Sequence, residues 1–94
     1  MSTFTKDPDA RLDFAVDWGP FLAAGETITT PVWLAPTPVT APPLVLADAG
    51  LDGNKHVAWI TGGLANRAYR VTSRITTSDT RINDQSFTIV ITET

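Results

Sequence analysis

Cysteine is absent from all 94 residues. The chain therefore has no disulfide and no thiolate metal site, and its fold has to rest on packing alone. That composition suits synthesis in a reducing cytoplasm. No apolar run approaches the ~18 residues of a membrane span, and no basic leader precedes an apolar stretch as it would in a secretory signal. Positive charge is scarce: Lys and Arg number 7 against 10 Asp and Glu, a formal −3 that offers no electrostatic reason to bind nucleic acid. Helical periodicity is missing as well; nowhere do apolar residues recur at helix spacing for even a few turns.

What is present is an ordinary apolar fraction of 43%, enough for one core in one domain and too much for a disordered chain. Charge is uneven along the chain. Residues through Asn54 carry seven acids against Lys6 and Arg11, whereas those from Lys55 onward carry five bases against three acids. A solvated surface with clustered charge accounts for this, and contact between copies, head to tail, is the sharper reading.

The first ten residues, MSTFTKDPDA, are polar and hold a proline, and they are expected to form a flexible arm (1–10) ahead of a domain at 11–94. RLDFAVDW then alternates, with Leu12, Phe14, Val16 and Trp18 on one face, as in a half-buried strand. Gly19-Pro20 ends that strand, and Phe21-Leu22 are placed to plug the core in a single turn. TITTPVWLAP reads as another strand, and Pro31, which lacks an N–H, predicts an edge position or a bulge. Prolines 36, 38, 42 and 43 exclude helix from the next stretch, where Val39–Thr40 and Leu44–Ala47 read as short strands. Residues 48–54, DAGLDGN, read as a turn.

The second half is more regular. KHVAWITGG alternates with Val57 and Trp59 expected inward. AYRVTSRIT sets Tyr69, Val71, Ser73 and Ile75 against Arg70, Thr72 and Arg74. A polar hairpin, TSDTRIND, leads to a last strand with Phe87, Ile89 and Ile91 inward. Six to seven short antiparallel strands, punctuated by Pro and Gly, predict an all-β, single Ig-like or fibronectin type III-like sandwich. Tyr69 fits that expectation. It heads a strand five residues after Leu64, the spacing of a tyrosine corner, in which the hydroxyl bonds a backbone group upstream and Leu64 plugs the core beneath the loop.

Chemistry is harder to find. His56 is the sole histidine and reads as a surface or partly satisfied side chain. Serines 2, 73, 78 and 86 lie in no nucleophile motif, and a Ser-His-Asp grouping rests on composition alone. The Asp48 and Asp52 spacing fails the calcium-loop pattern, and TGGLANR lacks the lysine of a phosphate loop. No cofactor, metal or catalytic residue is expected. Arg70, Arg74 and Arg81 form the candidate interface, since arginine makes paired, directional bonds; the alternative is a solvated face paired with Asp79 or Asp84. Among the tryptophans, Trp18 and Trp59 fall in core parity. Trp33 is the candidate for exposure, and thus for stacking on a sugar ring.

Asp17-Trp18, Leu22, Gly25-Glu26-Thr27-Ile28, Gly62-Gly63, Tyr69-x-Val71, Arg74-Ile75-Thr76-Thr77 and Ser86-Phe87-Thr88 occur in an order that resembles a family of small tailed-bacteriophage proteins, the fiber–tail adaptors. The resemblance spans about residues 12–92, and the proline-rich middle and the polar start depart from its pattern. It implies a non-enzymatic virion protein made in the host cytoplasm and present in multiple copies on a symmetric assembly. Such a protein sits at the neck or tail and joins tail or connector to fibers, with no membrane or nucleic-acid partner. A carbohydrate-binding module using Trp33 is the alternative, and a small hydrolase a distant third.

Overall fold

Alternation of apolar and polar residues builds this molecule strand by strand. The computed structural model describes residues 2–93 and holds seven strands: β1 (Ser2–Lys6), β2 (Leu12–Asp17), β3 (Ile28–Trp33), β4 (Leu44–Asp52), β5 (Lys55–Gly62), β6 (Ala68–Thr77) and β7 (Ile82–Ile91). They form a four-stranded sheet in the order β1-β7-β6-β3 and a three-stranded sheet in the order β2-β5-β4. No helix occurs among the described residues. This is the Ig-like sandwich expected, with every pairing antiparallel except β1 with β7. Those two strands lie at opposite ends of the chain, so no hairpin constrains their direction.

The central strands β6 and β7 show the pattern most clearly. Tyr69, Val71, Ser73 and Ile75 of β6, and Phe87, Ile89 and Ile91 of β7, point inward and are buried. Val16, Trp18, Leu44, Ala58 and Ile60 meet them from the other sheet. Each fully buried Ile contributes roughly 1.5–3 kcal/mol relative to exposure. After β2, Gly19 and Pro20 turn the chain: the Phe21 and Leu22 N–H groups donate to the Trp18 carbonyl, and the Phe21 ring meets Trp18 edge-on at 5.5 Å.

Four expectations are corrected. Ser2–Lys6, read as part of a flexible arm, is a strand registered along β7; Met1 lies outside the described residues. Phe4 sits 5.4 Å from Phe14 and 5.6 Å from Phe87, while Lys6 is buried, its Nζ donating to the carbonyls of Asp7 (2.8 Å) and Gly62 (2.9 Å). The short alternation of Phe4 and Lys6 is hidden in the sequence because a buried lysine scores as polar. Second, β5 faces the other way: His56, Ala58 and Ile60 are fully buried, whereas Val57 and Trp59 are half-buried on the outer face. Third, β4 continues to Asp52, and only Gly53 and Asn54 form the turn, so residues 48–52 belong to a strand. Fourth, Val39–Thr40 is not a strand; Val39 projects into solvent, 89% exposed.

Pro31 behaves as its chemistry requires. β3 is an edge strand, and its register against β6 shifts between Ile28 and Thr30. The extra residue reverses the parity downstream, as a bulge does. Ile28 and Trp33 therefore both pack against the core, and Val32 turns out, 42% exposed.

Candidate functional site

The three candidate arginines have separate fates. Arg74 on the outer face of β6 meets Asp84 directly across on β7, with Nε donating to Oδ1 at 2.7 Å and Nη2 to Oδ2 at 3.0 Å. Both side chains are well exposed, so this fork contributes little to stability, though it holds Asp84 below its usual pKa. Arg81 lies at the end of the sandwich, away from that face. Its guanidinium clasps Glu26, donates to the Phe21 carbonyl at 3.2 Å and stacks 4.2 Å over the Phe21 ring. Glu26 also accepts from the Thr77 hydroxyl (2.6 Å) and the Ala23 N–H (2.9 Å), and its side chain has no exposed surface. The Arg81 bond, then those of Thr77 and Ala23, lower its pKa from 4.5 to about 2. This cluster ties the loop after β2 to the β6–β7 hairpin. Arg70 is exposed, and its backbone pairs with Thr37. Among the described residues no bond or ion pair engages its side chain, so of the three it alone presents a free fork.

Tyr69 is fully buried. Its hydroxyl accepts the Leu64 N–H at 2.7 Å and lies 2.6 Å from the Thr40 hydroxyl. One oxygen thus ties the loop before β6 to the proline-rich connection between β3 and β4. Leu64 itself is half-buried and stands outside the core cluster.

The histidine reading is also corrected. His56 is fully buried, and its Nδ1 lies 2.7 Å from the Ser73 Oγ, which accepts the Trp18 indole N–H at 3.1 Å. Nε2 faces the Asp48 Oδ1 at 3.5 Å, too long for a good bond, and has no other partner among the described residues. Burial pushes the imidazole below its ordinary 6.5, against the opposing pull of Asp48. An Asp48–His56–Ser73 series thus exists. It does not resemble a working triad, because Ser73 has no exposed surface on which a substrate could meet its Oγ. His56 shares its parity with Ala58 and Ile60, but Val57 and Trp59 form an apolar set of equal weight on the other face, so the sequence alone does not choose between them.

Trp33, the expected sugar contact, is half-buried against the core. Its ring stacks on His56 (4.3 Å, 20°), and its indole N–H donates to the Val57 carbonyl at 3.2 Å. The half-exposed outer-face tryptophan is Trp59, covered on one side by the Arg11 guanidinium at 4.2 Å.

Residues 6–90 match the family described as podophage GP4 fiber-tail adaptor protein gp77. The chain belongs to that family. Membership gives it a structural role in the phage tail. The match begins at Lys6, so most of β1 precedes it. Among solved structures, this Gp77-family chain is similar to the solution structure of the PKD domain from KIAA 1837 protein. The TM-score is 0.60 at 20% identity, over 98% of this chain and 79% of the other, which shows a shared Ig-like fold. No curated protein sequence matches it.

Proposed function

We propose that this chain is a non-enzymatic virion protein, an adaptor at the neck or tail that joins tail or connector to fibers and is present in multiple copies. The observation that carries this reading is the family match across residues 6–90. The chemistry agrees with it. The histidine and the serine beside it are buried and bonded to one another, and Glu26 is bonded to Arg81 and Thr77, so these groups serve the fold. Its partners are other virion proteins; a net charge of −3 supplies no attraction to nucleic acid. The outer face of β6 around Arg70 is the candidate contact, and repetition around a symmetric assembly compensates for a weak single contact. Sugar binding through Trp33 gains no support, since His56 covers one face of the ring.

The test is cryo-EM of intact particles together with protein analysis of purified virions. Sandwich-sized density at repeated positions on the neck or tail is the expected result. Particles that lack the polypeptide would sink the proposal.

A further inference from the structure

Sheets of a sandwich separate at their edges, and here the edges of β3 and β4 leave an apolar groove of about 550 Å³. It is lined by Pro31, Val32, Trp33, Pro36, Leu46 and Asp48, among others. Three features of this seam converge. The first is the backbone of β4. Gly63 N–H donates to the Pro43 carbonyl, so Pro43, and by alternation Val45 and Ala47, bond toward β5. Leu46 and Asp48 then direct their N–H and C=O groups away from β5, at the free edge of the three-stranded sheet. The second is the wall opposite. Pro31 has no N–H, so β3 cannot extend a ladder there, and the Trp33 ring is held by His56 and the Val57 carbonyl. The third is charge: Asp48 is 53% exposed at the rim, and its nearest cation partner, His56, is kept neutral by burial.

We infer that the β4 edge receives one extended segment of a tail or fiber protein as an added strand, with an apolar side chain in the seam and a Lys or Arg against Asp48. Main-chain bonds supply affinity in this mode of recognition, and side-chain pockets supply specificity. Asp48 acts as the selector. A carboxylate at an open edge repels apolar or acidic strands and opposes indiscriminate pairing, so only a strand with a matching cation is admitted. This inference rests on the adaptor reading and names the chemistry of its partner.

The experiment uses phage particles whose copies of this chain carry a benzophenone amino acid at Val32, on the lip of the seam. The control carries it at Ile82, which is 67% exposed at the start of β7, with β6 between it and β3. Ultraviolet crosslinking at Val32, and not at Ile82, should join the chain to a tail or fiber protein at a stretch bearing Lys or Arg. Asp48→Asn should lower the adduct several-fold and Asp48→Arg should abolish it, with recovery when the partner's cation is changed to Asp. Thermal melts of each variant verify that the domain folds. Adducts between two copies of the chain, adducts indifferent to the charge at position 48, or no adduct in particles that contain the chain would each overturn the strand inference while leaving the adaptor reading intact. Absence of the chain from the particles would overturn both.

Discussion

His56 and Glu26 titrate in separate windows, and the sign of each effect follows from its surroundings. The buried imidazole binds a proton less readily than it does in the unfolded chain, where its pKa is near 6.5. Its contribution to stability is therefore complete above that value and declines as pH falls through the lowered folded pKa. Melting temperature should drop as pH falls below about 6.5, and His56→Leu should flatten that slope; a wild-type protein indifferent to pH there would contradict the argument. Glu26 acts further down. Its carboxyl is held at about 2 instead of 4.5, so the stability it confers is present above 4.5 and disappears as pH falls to about 2. Glu26→Gln should erase that acid limb and lower the melting temperature at neutral pH, because Arg81 and Thr77 lose their anionic acceptor. Neither role was visible in the sequence. A glutamate in a Gly-Glu-Thr loop and an arginine 55 positions later carry no mark of being partners.

Elements were read more successfully than residues, and the exceptions share a cause. Strand β6 was read correctly because every second residue is large and apolar or small and tolerated inside. The face of β5 is obscured because His56 and Ala58 are weak apolar signals beside Val57 and Trp59, and the inward side of Trp33 because the bulge between Ile28 and Thr30 reverses parity ahead of it. Gly62, at the end of β5, illustrates a constraint belonging to the element. Gly62 has φ +75°, and a Cβ there would sit 2.5 Å from the Pro43 carbonyl oxygen, whereas Gly25 has φ +78° with open space around it. Gly62→Ala should cost about 3 kcal/mol, as strain and clash combine, and Gly25→Ala about 1 kcal/mol from strain alone. Urea unfolding midpoints of the two variants would separate them; equal losses would show that the Pro43 contact is not limiting.

At the scale of the whole molecule, β1 closes the four-stranded sheet although it lies almost wholly outside the family match. Deleting residues 2–6 should remove the Phe4 contacts, break the tie from Lys6 to Gly62 and bare the edge of β7. A loss of about 2–4 kcal/mol in urea unfolding, with aggregation at higher concentration, is the expected result. An unchanged midpoint would mean that β1 is dispensable. The sequence by itself determined the all-β class, most strand positions, the hairpin between β6 and β7 and the family order of motifs, because these depend on local alternation and on turn residues. Only the tertiary structure decided which face of β3 and β5 is inside, that Lys6, Glu26 and His56 are buried, that Arg70 alone of three arginines is free, and that β3 and β4 leave a seam between the sheets. Each of those depends on which distant residues meet, and pairing across 17 to 56 positions leaves no trace in local composition.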